Sequence, residues 1–514
     1  MHHLKKQLLC VFLFTISMVF NSFGQTQKAD AFYFNPVYGN QTITITPNQS
    51  SDGFIDKKLS EAIDKANKKG GGIITIKNGN YKFKEGVTIK SNVHIHVEPG
   101  VNFYMNDEGV LFTAESNTIG KPVTNFSIIG VDKEPFTIHF KYGNTSNYVK
   151  KNSFLKLGYT SNFKISNVKI LDAFTKISSI VLAANTSSVD VLTKKNSKNG
   201  RTNLIQQVFG VPSKGIIEKV HNENGSYGYG VVQMQAGNNI VYRDLSGVGG
   251  VSLRLESGLN VNQLFRPIGS APIYHINGIE LPLTIDKQPK INQVYGTNIS
   301  CNNGHAAFTM SPHTVKQGSV FLSKIRTESC EAAGEVSKGF INNFKREEKA
   351  GLAVSKFQIG KGSYASNSTI TDVVAVFGQY AQIKSKNFKY IPCELRVDRG
   401  TNSKNVGLST ENGLDFESRV GPSLFPFHYT AAALEVGDGG YRVQIDTATV
   451  VAHGFGSNVD TISIKGDFTC EKTADFTTEI RGAKKEKGNK KEKGKKAKKL
   501  KKGKKVKKEK QKKR

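Results

Sequence analysis

The chain has 514 residues with 50 glycines, no tryptophan and a formal net charge of +30. That length gives room for one large domain or two to three smaller ones, and abundant glycine among short Val/Ile runs points to an all-β protein with many turns. Residues Arg481 to Arg514 carry 21 Lys/Arg and three acids, leaving +12 for the rest, a surface that favours polyanions: nucleic acid, anionic lipid or acidic polysaccharide.

Residues 1–24 read as an export signal: Lys5 and Lys6 precede an apolar run from Leu8 to Phe20, and small or polar residues lead to Gly24. No later segment is long and apolar enough to cross a bilayer. A secreted, extracellular location makes an acidic polysaccharide the expected partner; nucleic acid is not expected, and the chain is read as a monomer. Four cysteines remain, Cys301, Cys330, Cys393 and Cys470, which allow three disulfide pairings or free buried thiols. None lies in a Cys-x-x-Cys pair, so no zinc site is expected.

Residues 25–50 are polar and expected to be loosely ordered apart from Phe32-Tyr33-Phe34. Leu59, Ala62, Ile63 and Ala66 then form one apolar helical stripe, stopped by Gly70-Gly71-Gly72. Short strands follow at Ile74–Ile76, Val87–Ile89 and Val93–Val97. A helix before brief, evenly spaced strands resembles the cap of a parallel β-helix, where it covers the open end and blocks edge pairing. One phrase recurs downstream, as Asn125-Phe126-Ser127-Ile128, Asn162-Phe163-Lys164-Ile165 and Asn239-Ile240-Val241, with weaker copies near Val294–Cys301 and Ser319–Cys330. Such repetition means stacked coils. The expected fold is an all-β, right-handed parallel β-helix over residues 25–341 with an N-terminal capping helix. Residues 342–429 are read as an inserted accessory lobe, 430–480 as the last coils, and 481–514 as a disordered polybasic tail suited to holding an anionic polymer.

Two windows carry the chemistry. In Gly228–Gly237, Val232, Met234 and Ala236 alternate with Val231, Gln233 and Gln235; in Gly249–Gly258, Val251, Leu253 and Leu255 alternate with Ser252, Arg254 and Glu256. The apolar sets face the interior and the polar sets face out. A coil of 23 residues would place Gln233 beside Glu256, with Arg254 alongside. A carboxylate, a guanidinium and two amides on one strip suit sugar binding and proton transfer. The scattered histidines His94, His96, His221, His305, His428 and His453 are read as structural or surface residues.

These windows, Gly228 to Ser257, with weaker agreement through Ser311-Pro312-His313, resemble the core of glycoside hydrolase family 82, the iota-carrageenases. The resemblance implies a β-helix and endo-acting, inverting hydrolysis of β-1,4 links between galactose 4-sulfate and 2-sulfated anhydrogalactose. It places the general acid on Glu256, a chloride-associated glutamine on Gln233 and an active-site histidine on His313. Arg254, Tyr229 and Gln235 fall at substrate-contacting positions. It also implies that chloride binds near Gln233 and that structural calcium is present, with ligands the sequence does not name. One position departs: the family's base, an Asp two residues after the acid, is Gly258 here. His313 or an acid from the insertion could replace it. Glu256 needs a raised pKa to act as an acid near neutrality. The competing readings are a β-helix lyase and a sulfated-polysaccharide-binding protein that has lost its base.

Overall fold

In the computed structural model, the recurring asparagines of the sequence are corner residues. Asn92, Asn125, Asn162 and Asn239 take left-handed backbone with φ of 62°, 55°, 54° and 57°, a conformation asparagine tolerates better than most residues with a side chain. Each turns the chain into a strand whose next apolar residues point inward, as with Phe126 and Ile128 or Phe163 and Ile165. A second set of corners, Asn167, Asp244 and Asn298 among them, has the same backbone.

The structure describes residues 26–47, 53–105, 107–140, 151–190, 204–257, 274–276, 279–281, 289–341, 361–384, 387, 390–391, 418–457 and 459–463. The export signal, Gly258, Cys393, Cys470 and the polybasic tail lie outside them. Met1–Ser385 with Val406–Gly466 form one compact unit, described below; in the second, Lys386–Asn405 with Asp467–Arg514, only residues 387 and 390–391 are described.

The first unit is a parallel β-helix with three strand ladders. The first runs from Gln41–Ile45 through Gly72–Ile76, Val93–Val97 and Val123–Gly130. It continues along the opening parts of Thr160–Leu171, Ser213–Met234, Gly237–Glu256, Ile291–Asn302 and Val320–Glu328. The second begins with Gly79–Phe83, Val101–Met105 and Phe136–Phe140 and follows the later parts of the same long strands. The third carries Val110–Ala114, Ser153–Leu157 and Ile180–Leu182, then the ends of Ser213–Met234 and Gly237–Glu256, then Ala306–Ser311 and Ala332–Val336. Within each ladder the pairing is parallel, so identical positions stack. Ile74, Ile95, Ile128, Ile165 and Ile217 form one such inward column. Each is fully buried, contributing about 1.5–3 kcal/mol.

The helix Asp56–Lys68 buries Leu59, Ala62, Ile63 and Ala66 against the first coil, as the stripe requires. Gly70 and Gly71, with φ of 89° and 115°, turn the chain out of it.

Two expectations need correction. Residues 26–38 are not loose. Tyr33 and Phe34 are buried against Ile216, Val241, Tyr295 and Phe321 on the outside of the first ladder. Asn162 and Asn125 clasp the backbone of Asn35 and Val37 through both amide atoms. Asp30 makes a two-pronged ion pair with Arg243. Secondly, the range 342–429 is not one lobe. Thr369–Ile370 and Val373–Val376 are coil strands on Val320–Glu328, and Phe425 and His428 bridge to Ala332 and Glu335. Their apolar residues continue the core columns, which outweighs the change in composition that suggested an insertion. Among the alternatives left open for the cysteines, the structure bonds Cys301 to Cys330.

Candidate active site

Glu256 ends the strand Gly237–Glu256 on the outward side of the third ladder. The alternation explains this: Leu253 and Leu255 are fully buried in the core, which forces Arg254 and Glu256 outward. Gly249 and Gly250 make the preceding corner, with φ of 80° and 65°. A side chain at Gly250 would collide with the Tyr229 carbonyl, so glycine is required for that close turn.

Two nitrogen donors converge on the carboxylate. Arg254 Nε donates to Glu256 Oε2, while its Nη1 donates to the Gly228 carbonyl at 2.6 Å. The guanidinium lies over the Tyr229 ring, 5.0 Å from its centre. On the other side, His313 Nε2 lies 2.8 Å from Glu256 Oε1, which gives an N–H donating to a carboxylate. His313 follows Ser311, the neighbour of Glu256 on the next coil. Its left-handed backbone, φ 53°, turns the imidazole back over the site. The His313 carbonyl accepts from Phe340 N–H at 2.9 Å and Gly362 N–H at 2.7 Å, which fixes that turn.

Electrostatics follow from this arrangement. Burial pushes the Glu256 carboxyl up, but the His313 hydrogen bond and the Arg254 charge outweigh it and hold the pKa at about 2. The expectation of a raised value is therefore corrected: in the free protein Glu256 is ionised, because the His313 hydrogen bond and the Arg254 guanidinium both favour the carboxylate.

The register also differs from a 23-residue coil. Gln233 pairs with Arg254, 21 residues on, whereas the first ladder advances by 25, as from Ser213 to Asn238. The corner from Glu223 to Gly230 is irregular and consumes the difference. Gln233 is thus beside Arg254 rather than Glu256. It is buried and makes no side-chain hydrogen bond among the described residues. Gln235, half-buried, follows the end of its strand, and its N–H donates to the Leu182 carbonyl.

The same outward column continues where the sequence reading had placed nothing. Arg254 is followed by Thr309, Glu335 and His428 on successive coils. Glu335 accepts from Ser337 Oγ at 2.6 Å and lies 3.2 Å from His305 Nε2. His305 stacks on Tyr227, ring centres 4.2 Å apart. Burial pushes Glu335 up, but contact with His305 and the nearby His428 hold it below the usual carboxylate range. Two histidines read as structural therefore flank a second outward carboxylate. The signal was present: counting one coil beyond Ala306–Ser311 gives Glu335 the same phase as Arg254. Among the described residues, no group of three or more His, Cys, Asp and Glu could hold a metal ion, so no calcium ligands are assigned. No helix among them is long and apolar enough to cross a membrane.

No family model matches the chain. It is 31% identical to an iota-carrageenase of Alteromonas macleodii over 330 residues, 62% of this chain and 57% of that protein. The match thus spans little more than half of that relative's length. A solved structure of a 1,3-α-1,4-β-D-galactose-4-sulfate-3,6-anhydro-D-galactose-2-sulfate 4-galactohydrolase superposes with a TM-score of 0.67 at 26% identity, covering 88% of this chain and 97% of that one. The chain is a relative of the iota-carrageenases. A second solved structure, an iota-carrageenase complexed with iota-carrageenan fragments, matches in fold with a TM-score of 0.66 at 24% identity and covers 87% of this chain and 97% of that one. Arg254, Glu256, His313 and Tyr229 lie together in the structure, with Gln233 beside Arg254 on the neighbouring coil.

Proposed function

We propose that the chain is a secreted, endo-acting hydrolase of the β-1,4 links of iota-carrageenan, working with inversion and using Glu256 as proton donor. The observation that carries this reading is the Arg254–Glu256–His313 triplet on an outward face of the solenoid. Arg254 offers a planar fork suited to a substrate sulfate. A sulfate that engages it draws the guanidinium away from Glu256, and burial under the sugar chain then raises the carboxyl. The His313 contact gives that carboxyl a short route to a proton, which it passes to the glycosidic oxygen as the bond breaks.

Inversion needs a second carboxylate on the far side of the sugar, about 6.5–9.5 Å from the first. His313 shares its Nε2–H with the acid, so it does not suit the role of base. Glu335 is the candidate we assign to it. It lies two coils from Arg254 on the same column, about 10 Å of backbone at roughly 4.8 Å per coil, while Glu256 stands two residues further along its strand, in register with Ser311; the two side chains must lean toward each other to reach that separation. Its contact with His305 keeps it ionised and able to accept a proton from water. Gln233 fits a chloride: a buried amide without a hydrogen-bond partner among the described residues, in register with Arg254. A bound chloride would supply negative charge that opposes the pull of Arg254 on the Glu256 proton.

The test is incubation with iota-, kappa- and lambda-carrageenan, with products sized and tested for unsaturation. Saturated oligosaccharides with new reducing ends from the iota form support the reading. Ultraviolet-absorbing products would mean a lyase, and binding without cleavage a protein that has lost its base.

A further inference from the structure

We propose that Phe340 is a sugar-ring platform beside the Glu256 carboxyl, setting affinity for the galactan on the His313 flank of the site; the inference rests on the hydrolase reading above. Most large side chains of the chain's described phenylalanines fill the interior, as with Phe83, Phe103, Phe112, Phe126 and Phe308, all fully buried. Phe340 is 37% exposed. Its ring tilts over the His313 imidazole with centres 4.5 Å apart, and that imidazole is hydrogen-bonded to Glu256. One side of the ring therefore rests on the catalytic histidine and the remainder meets solvent. Its N–H, bonded to the His313 carbonyl, fixes the backbone beneath it.

The chemistry of the site leaves such a surface a clear use. Arg254 and the exposed Lys338, two residues before Phe340, are suited to sulfates. Neither offers a flat apolar face for the C–H side of a pyranose or anhydro ring, and the chain has no tryptophan to provide one. On the opposite flank the Tyr229 ring is occupied by the Arg254 guanidinium. Phe340 is thus the aromatic face next to Glu256 that is left open among the described residues.

The experiment compares Phe340→Ala, Phe340→Leu and Phe340→Tyr with the wild type, by reducing-end kinetics on iota-carrageenan and by migration in carrageenan-containing native gels. A platform requires a flat ring, so Ala and Leu should raise KM and weaken retardation alike, by roughly three- to tenfold. Tyr should restore both, and the pH profile of kcat should not move. If Leu serves as well as Phe, or if the loss falls in kcat with a shifted pH profile, Phe340 only positions His313 and the proposal is overturned. If the wild type releases no reducing ends, the hydrolase reading fails separately and gel migration alone decides: a Phe340→Ala variant retarded as strongly as wild type, or a wild type not retarded at all, removes the platform.

Discussion

Pairing Glu256 with His313 has a stability consequence that a double-mutant cycle can read. The carboxyl sits at about 2 rather than its ordinary 4.5, a difference worth roughly 3 kcal/mol at about 1.4 kcal/mol per unit. That sum is net of burial and shared between His313 and Arg254. The His313 share is that of one hydrogen bond to a charged acceptor, about 1.5–3 kcal/mol. Because the folded value is depressed, the stabilisation is fully present above pH 4.5 and is lost as pH falls through about 2. Glu256→Gln, His313→Ala and the double variant should therefore show a coupling of about 1.5–3 kcal/mol at pH 7, smaller at pH 3. Chemical unfolding followed by far-ultraviolet circular dichroism measures it. Single effects that add to within about 0.5 kcal/mol at pH 7 would mean that the two side chains do not interact, and the acid site as built here would fall.

Glu335→Gln should lower kcat by roughly 100-fold or more while leaving gel retardation intact; activity within a few-fold of wild type would exclude it as base. Gln233→Ala should abolish any halide dependence of the pH–rate profile, and an unchanged dependence would show that the anion binds elsewhere. Tyr33→Ala opens a cavity under the N-terminal arm, since Tyr33 is almost fully buried, and should cost about 3 kcal/mol or more in unfolding; a loss below about 1 kcal/mol would mean that the arm is not held by its aromatic anchor.

The fold was legible wherever one residue type had one structural job. The capping helix showed its stripe because Leu59, Ala62, Ile63 and Ala66 cover the end of the core, and the coils showed theirs because asparagine repeatedly takes the left-handed corner. Strand alternation likewise fixed the direction of Arg254 and Glu256 without any structure. What alternation cannot give is the length of each corner. The irregular stretch between Glu223 and Gly230 moved Gln233 from Glu256 to Arg254, and nothing in periodicity counts residues that lie outside strands. The arm was misread for a related reason: Tyr33 and Phe34 bury against residues 182 or more positions away, and a segment whose partners are that distant has no local pattern.

The two carboxylates mark the limit of reading charge from sequence. Glu256 and Glu335 both point outward from the third ladder of a basic protein, two residues apart in phase, and each is buried enough that burial alone would raise its pKa. In both, a histidine from the neighbouring coil reverses that direction. His313 lies 57 residues from its partner and His305 30 from its own, so neither pair is a motif; each exists only because the coils stack in one register. The state of each carboxylate is thus set by the pairing of coils. An insertion or deletion of one residue in the corner before Ala306–Ser311 should disturb both carboxylates together, although it touches neither.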